Sequence, residues 1–72
     1  MGSKYPVLPP QKIIKVLEKN GFRFASQKGS HMKYVKNDLI VIVPNHDEVA
    51  KGTLKSILAM AHIDLDDFLK EL

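Results

Sequence analysis

Gln27-Lys28-Gly29-Ser30-His31-Met32-Lys33-Tyr34 gathers a glycine, a hydroxyl, an imidazole and two lysines into one short span. Imidazole is the side chain whose ordinary pKa, about 6.5, lets it both take and give a proton near neutrality. His31 is therefore a candidate general acid or base, and Lys28, Gly29, Ser30 and Lys33 are candidate anion contacts around it. A second such group is Lys51-Gly52-Thr53-Leu54-Lys55, a helix start offering free N–H groups, a hydroxyl and two cations, which suits phosphate. The plain alternative there is an ordinary capped helix with Thr53 as its cap. Between the two groups stands His46, readable as a complementary acid, as a phosphate contact, or as a side chain that caps its own loop. The last is the commoner role. His62 reads as a helix-end cation near the terminal carbonyls. The spacing of the three histidines fits no compact ligand motif, so no metal or other cofactor is expected.

The elements that must hold these residues follow from the pattern around them. Pro6 and the pair Pro9-Pro10 keep residues 1–9 extended, and Pro10 suits the first turn of a helix, where a missing N–H is harmless. Ile13, Val16 and Leu17, with Ile14 half a turn off, form the apolar stripe of that helix, which Asn20-Gly21 closes with Phe22 folding back on the last turn. Phe22, Phe24 and Ser26 alternate with Arg23, Ala25 and Gln27 as a first strand. Lys28 to Ser30 turn it into a second, His31 to Lys36, which puts His31 at the mouth of a hairpin.

Asn37-Asp38 then reads as a two-residue turn into Leu39 to Val43, an apolar run that ends at Pro44. That turn fixes the register: Lys36 opposite Leu39, Tyr34 opposite Val41, Met32 opposite Val43 and His31 opposite Pro44. Asn45 to Lys51 is a loop, Gly52-Thr53 opens a second helix with Leu54, Ile57, Leu58 and Ala61 inward, and a short third helix begins at Asp64. The fold class is α+β, in the order α-β-β-β-α, with a three-stranded antiparallel sheet carrying both helices on one face. Phe22, Phe24, Met32, Tyr34, Val41 and Val43 should form its core with Ile13, Leu17, Leu54 and Leu58. Val35, Ile40 and Ile42 share the other face with Lys33 and Arg23, either as a partner surface or beneath the C-terminal segment.

Seventy-two residues leave room for one small domain, read as 10–72 behind the lead-in 1–9. Without cysteine there is no disulfide and no thiolate chemistry, and no apolar run reaches the roughly 20 residues of a membrane span, so a cytoplasmic home is expected. Charge is uneven. Residues 1–37 carry eight basic groups against Glu18 alone, while residues 38–72 carry three basic and seven acidic groups. Such a basic half suits a polyanion, although a solvated lysine surface is the plainer reading. Tyr34 is able to stack a base, but its alternation points it into the core.

Taken together, four pieces resemble the HicA mRNA interferase toxins of toxin–antitoxin pairs: the helix ending in Gly21-Phe22, then Lys28-Gly29-Ser30-His31, then Val43-Pro44 with His46, then Lys51-Gly52-Thr53-Leu54 with Ile57-Leu58. The resemblance covers about residues 10–69. His62 departs from it, standing where a glycine is usual. The resemblance implies a fold like that of double-stranded-RNA-binding domains, His31 as the catalytic residue, RNA as substrate, and a HicB-type antitoxin as partner. RNA cleavage without a metal is chemically reasonable, because the 2′-hydroxyl is a nucleophile already beside the phosphate. A protein must then supply a base, an acid and positive charge. A non-catalytic RNA-binding module, with His31 merely touching phosphate, is the alternative.

Overall fold

The computed structural model describes residues 4–72; the first three residues of the lead-in lie outside the described residues. Six elements follow in order: α1 (Pro10–Lys19), β1 (Arg23–Lys28), β2 (His31–Lys36), β3 (Leu39–Pro44), α2 (Lys51–Ala61) and α3 (Leu65–Lys70). The strands form one antiparallel sheet in the order β1-β2-β3. This is the expected α+β layout, with the expected short third helix following Asp64.

α1 starts on Pro10 and stops at Asn20-Gly21, where Gly21 takes φ +92. There the N–H of Gly21 donates to the Glu18 carbonyl and that of Phe22 to the Leu17 carbonyl, so two otherwise orphaned carbonyls are satisfied. This stop turns the buried Phe22 back onto the core and launches β1. Lys36 lies across the corner, with its ammonium 5.8 Å from the Phe22 ring centre.

The β2–β3 hairpin has the expected register throughout, from Lys36 opposite Leu39 to His31 opposite Pro44. Asn37 adopts φ 52 in its turn. Met32, Tyr34, Val41 and Val43 point to the helices and are buried with Ile13, Val16, Leu17, Leu54, Ile57, Leu58 and Phe68. Burial raises the Tyr34 phenol above its ordinary value, and the nearby Glu18 carboxylate adds to the shift.

Several expectations need correction. Phe24 is not core but 52% exposed. It does face the helix side, opposite Tyr34, which its ring meets edge-on at 5.7 Å. The helices, however, stack chiefly over β3 and leave the β1 edge uncovered. α2 begins at Lys51, before Gly52-Thr53, with Ala50 at its N-cap and no side-chain cap. Thr53 therefore lies inside the first turn, where its hydroxyl cannot cap. The C-terminal segment does not cover the open sheet face. α3 docks on the helix side, burying Phe68 completely, while Asn20 Nδ2 donates to Glu71 Oε1 at 2.7 Å and Lys19 Nζ to the Glu71 carbonyl at 3.1 Å. Leu8 and Val49, neither expected to pair, form an isolated bridge in which the Val49 N–H donates to the Leu8 carbonyl at 2.7 Å, and Val49 is buried.

Candidate active site

Alternation along β2 places His31, Lys33 and Val35 on the face away from the helices. What stands beside them depends on β1. Simple alternation from Phe24 would send Ser26 and Lys28 to the helix side. Instead Phe24 pairs with Tyr34 and Ser26 with Lys33, so Ala25 is an extra residue, a β-bulge. Beyond it the faces exchange: Ser26 and Lys28 join His31 and Lys33 on the open face, and Lys28 sits directly opposite His31. Ser26, Lys28, His31, Lys33 and Ile42 line a shallow cavity of about 400 Å³.

The turn that presents His31 is firmly built. Gly29 takes φ 59, which most side chains resist, and Gln27 Nε2 donates to the Gly29 carbonyl at 2.9 Å. The Ser30 carbonyl accepts from the Asn45 N–H at 2.6 Å, tying the turn to the start of the loop after β3. That tie brings the second histidine near. His31, Pro44, His46, Glu48, Ala50 and Thr53 line a second cavity, about 330 Å³, with His31 and Ile42 shared between the two. The His46 side chain makes no hydrogen bond to its loop among the described residues, so it does not act as a loop cap.

The second expected group is only partly assembled with the first. Thr53 lines the cavity of His31 and His46, whereas Lys51, Gly52 and Lys55 are exposed on the first turns of α2 outside its lining. With no side-chain cap at Ala50, the N–H groups of Lys51, Gly52 and Thr53 remain open toward that end of the helix among the described residues. A Cβ on Gly52 would meet nothing within 4 Å, so nothing within the fold requires glycine there. Gly29 and Ser30 contribute backbone at the hairpin mouth and line neither cavity.

Sequence reading missed Ser26, Glu48 and Ile42 as members of this surface. Ser26 was hidden by the bulge, and no residue near Ala25 announces one. Ile42 was recognised as exposed but not as the shared wall. Glu48 lies in a loop whose path depends on the Leu8–Val49 bridge. The arrangement puts two imidazoles, one carboxylate and two ammonium groups around a contiguous open surface. It can therefore hold an anion and exchange protons with it.

A family model described as HicA toxin of bacterial toxin-antitoxin matches residues 10–63 of the 72-residue chain. That span contains every candidate residue named above and excludes α3. No curated protein sequence matches the chain.

Proposed function

As this chain belongs to the HicA family of bacterial toxin–antitoxin toxins, we propose that it is an endoribonuclease that cuts mRNA by metal-independent acid–base chemistry at His31 and is silenced by a HicB-type antitoxin. The observation that carries this reading is the β1–β2 pairing, which sets Lys28 opposite His31 across the Gly29-Ser30 turn and lines one cavity with both of them and Lys33. A cationic cavity holding an exposed imidazole is what cleavage of a phosphodiester without a metal demands.

In the proposed reaction a base takes the proton of the RNA 2′-hydroxyl, whose oxygen attacks the adjacent phosphorus. The bond from phosphorus to the 5′-oxygen breaks and that oxygen takes up a proton, leaving a 2′,3′-cyclic phosphate and a 5′-hydroxyl. His31 performs one of the two proton transfers, and Lys28 and Lys33 stabilise the crowded negative charge at phosphorus. His46, facing the same cavity as His31, supplies the other. Thr53, Lys51, Gly52 and Lys55 hold a neighbouring phosphate at the start of α2, and Gly29 and Ser30 let the strand approach the hairpin mouth. The substrate and the partner place the activity in the cytoplasm; no helix among the described residues is long and apolar enough to cross a membrane.

The test is cleavage of end-labelled single-stranded RNA in EDTA, comparing the wild-type chain with His31→Ala shown to be folded. Cyclic-phosphate ends that fall by about 10²- to 10⁴-fold in the variant are expected. Equal binding by both proteins without cutting would instead make this an RNA-binding module.

A further inference from the structure

A groove on the other side of β3 shares only Ile42 and Thr53 with the site described above. β3 is an edge strand. Its hairpin closes on Lys36 and Leu39 across a two-residue turn, so Leu39, Val41 and Val43 direct their backbone groups to β2, and Asn45 continues the series by donating to Ser30. The N–H and C=O groups of Ile40 and Ile42 consequently point outward, where no backbone group meets them among the described residues. Pro44, with no N–H, ends the run. Alongside, α2 presents Thr53, Ser56, Ile57 and Met60, one stripe at helical spacing. Strand edge and helix wall enclose a groove of about 260 Å³, in which Ile40 and Met60 are 46% and 56% exposed.

An exposed apolar edge flanked by a helix wall invites a further strand. We propose that a β-strand of the antitoxin adds to β3 along Ile40 and Ile42, laying alternate apolar side chains between that edge and Met60. This rests on the toxin–antitoxin reading and adds to it the surface and the shape of the partner. Only an extended peptide carries N–H and C=O groups at the repeat that Ile40 and Ile42 offer; a nucleic acid or a docked helix does not. Charge completes the description of the occupant. Ile42 is also a wall of the cavity lined by Lys28 and Lys33, so the strand is apolar over the groove and acidic where it leaves past Ile42.

Amide-resolved hydrogen exchange with purified cognate antitoxin tests this, together with antitoxin affinity and RNA cleavage for Met60→Lys and Ile40→Lys. In the complex the Ile40 and Ile42 amides should exchange at least about 100-fold more slowly than in the free chain. Both variants should bind antitoxin at least about 10-fold more weakly while cutting RNA at the wild-type rate. Met60 is on an exposed helix face, so its variant folds even where Ile40→Lys does not. A complex in which those amides exchange as fast as in the free chain, or unchanged affinity in Met60→Lys, overturns the proposal. Slow exchange at Ile40 and Ile42 without antitoxin, with a doubled mass in solution, assigns the edge to a second copy and overturns it too. A wild-type chain that neither cuts RNA nor binds antitoxin overturns the functional reading, and the edge proposal with it.

Discussion

His31 and His46 stand fifteen residues apart in sequence and meet because one hydrogen bond, Asn45 to Ser30, ties the loop of one to the turn of the other. If His46 is the second proton carrier, His46→Ala should slow cleavage by about 10²-fold or more while leaving RNA affinity within a few-fold, a split visible in single-turnover kinetics. Lys28 and Lys33 should act differently. Each changed to Ala should weaken RNA binding and flatten its dependence on salt, by about 0.7 in the logarithmic slope per lost phosphate contact. Lys15→Ala is the control, because Lys12, Lys15 and Lys19 line a separate groove with Glu71 on the helix side of the sheet. An equal loss in Lys15→Ala would move the RNA onto α1. Five of the eight basic groups of the first half thus fall on two separate surfaces, which their order in the chain does not disclose.

At the scale of the elements, the hairpin was legible and the first strand was not. Asn37-Asp38 and Pro44 bracket β3 so closely that only one register buries Met32, Tyr34, Val41 and Val43 together. β1 has no such constraint: beyond Phe22 its residues are all exposed, so burial does not dictate which face each takes. Ala25 is therefore dispensable in a checkable way. Deleting it joins Phe24 to Ser26 while both keep their partners on β2, so Lys28 should stay opposite His31. The deletion should cost less than about 1 kcal/mol of stability and retain cleavage, as measured by urea unfolding and the RNA assay. Lost activity in a folded deletant would show that the bulge itself shapes the site. The end of α2 offers the opposite case. His62 takes φ 58, a left-handed conformation that costs an ordinary residue about 1 kcal/mol or more, and the N–H of Ile63 donates to the Leu58 carbonyl around it. His62→Gly should therefore raise stability by about 0.5–1 kcal/mol without altering cleavage, since His62 lines neither cavity of the site.

For the whole molecule, the family match ends at residue 63 but the core does not. Phe68 is the largest fully buried side chain and belongs to α3. Phe68→Ala should cost about 3–5 kcal/mol, most of what so small a domain possesses, and a chain ending at Ile63 should fail to show a cooperative thermal transition. A sharp transition in that truncated chain would make α3 an accessory. A short helix from Asp64 was legible in the sequence; that its Phe68 completes the core became apparent only from where α3 docks, beside Asn20 and Lys19.

The contact between Leu8 and Val49 reaches further than its one hydrogen bond suggests. With Asn45 fastened to Ser30 at the other end, the span that carries His46 is stapled at both ends, so it has few conformers to surrender when substrate arrives. One of those staples is the lead-in itself. An exopeptidase trimming past Leu8 would turn a stationed histidine into a wandering one, disarming the chain while leaving every strand of its sheet intact.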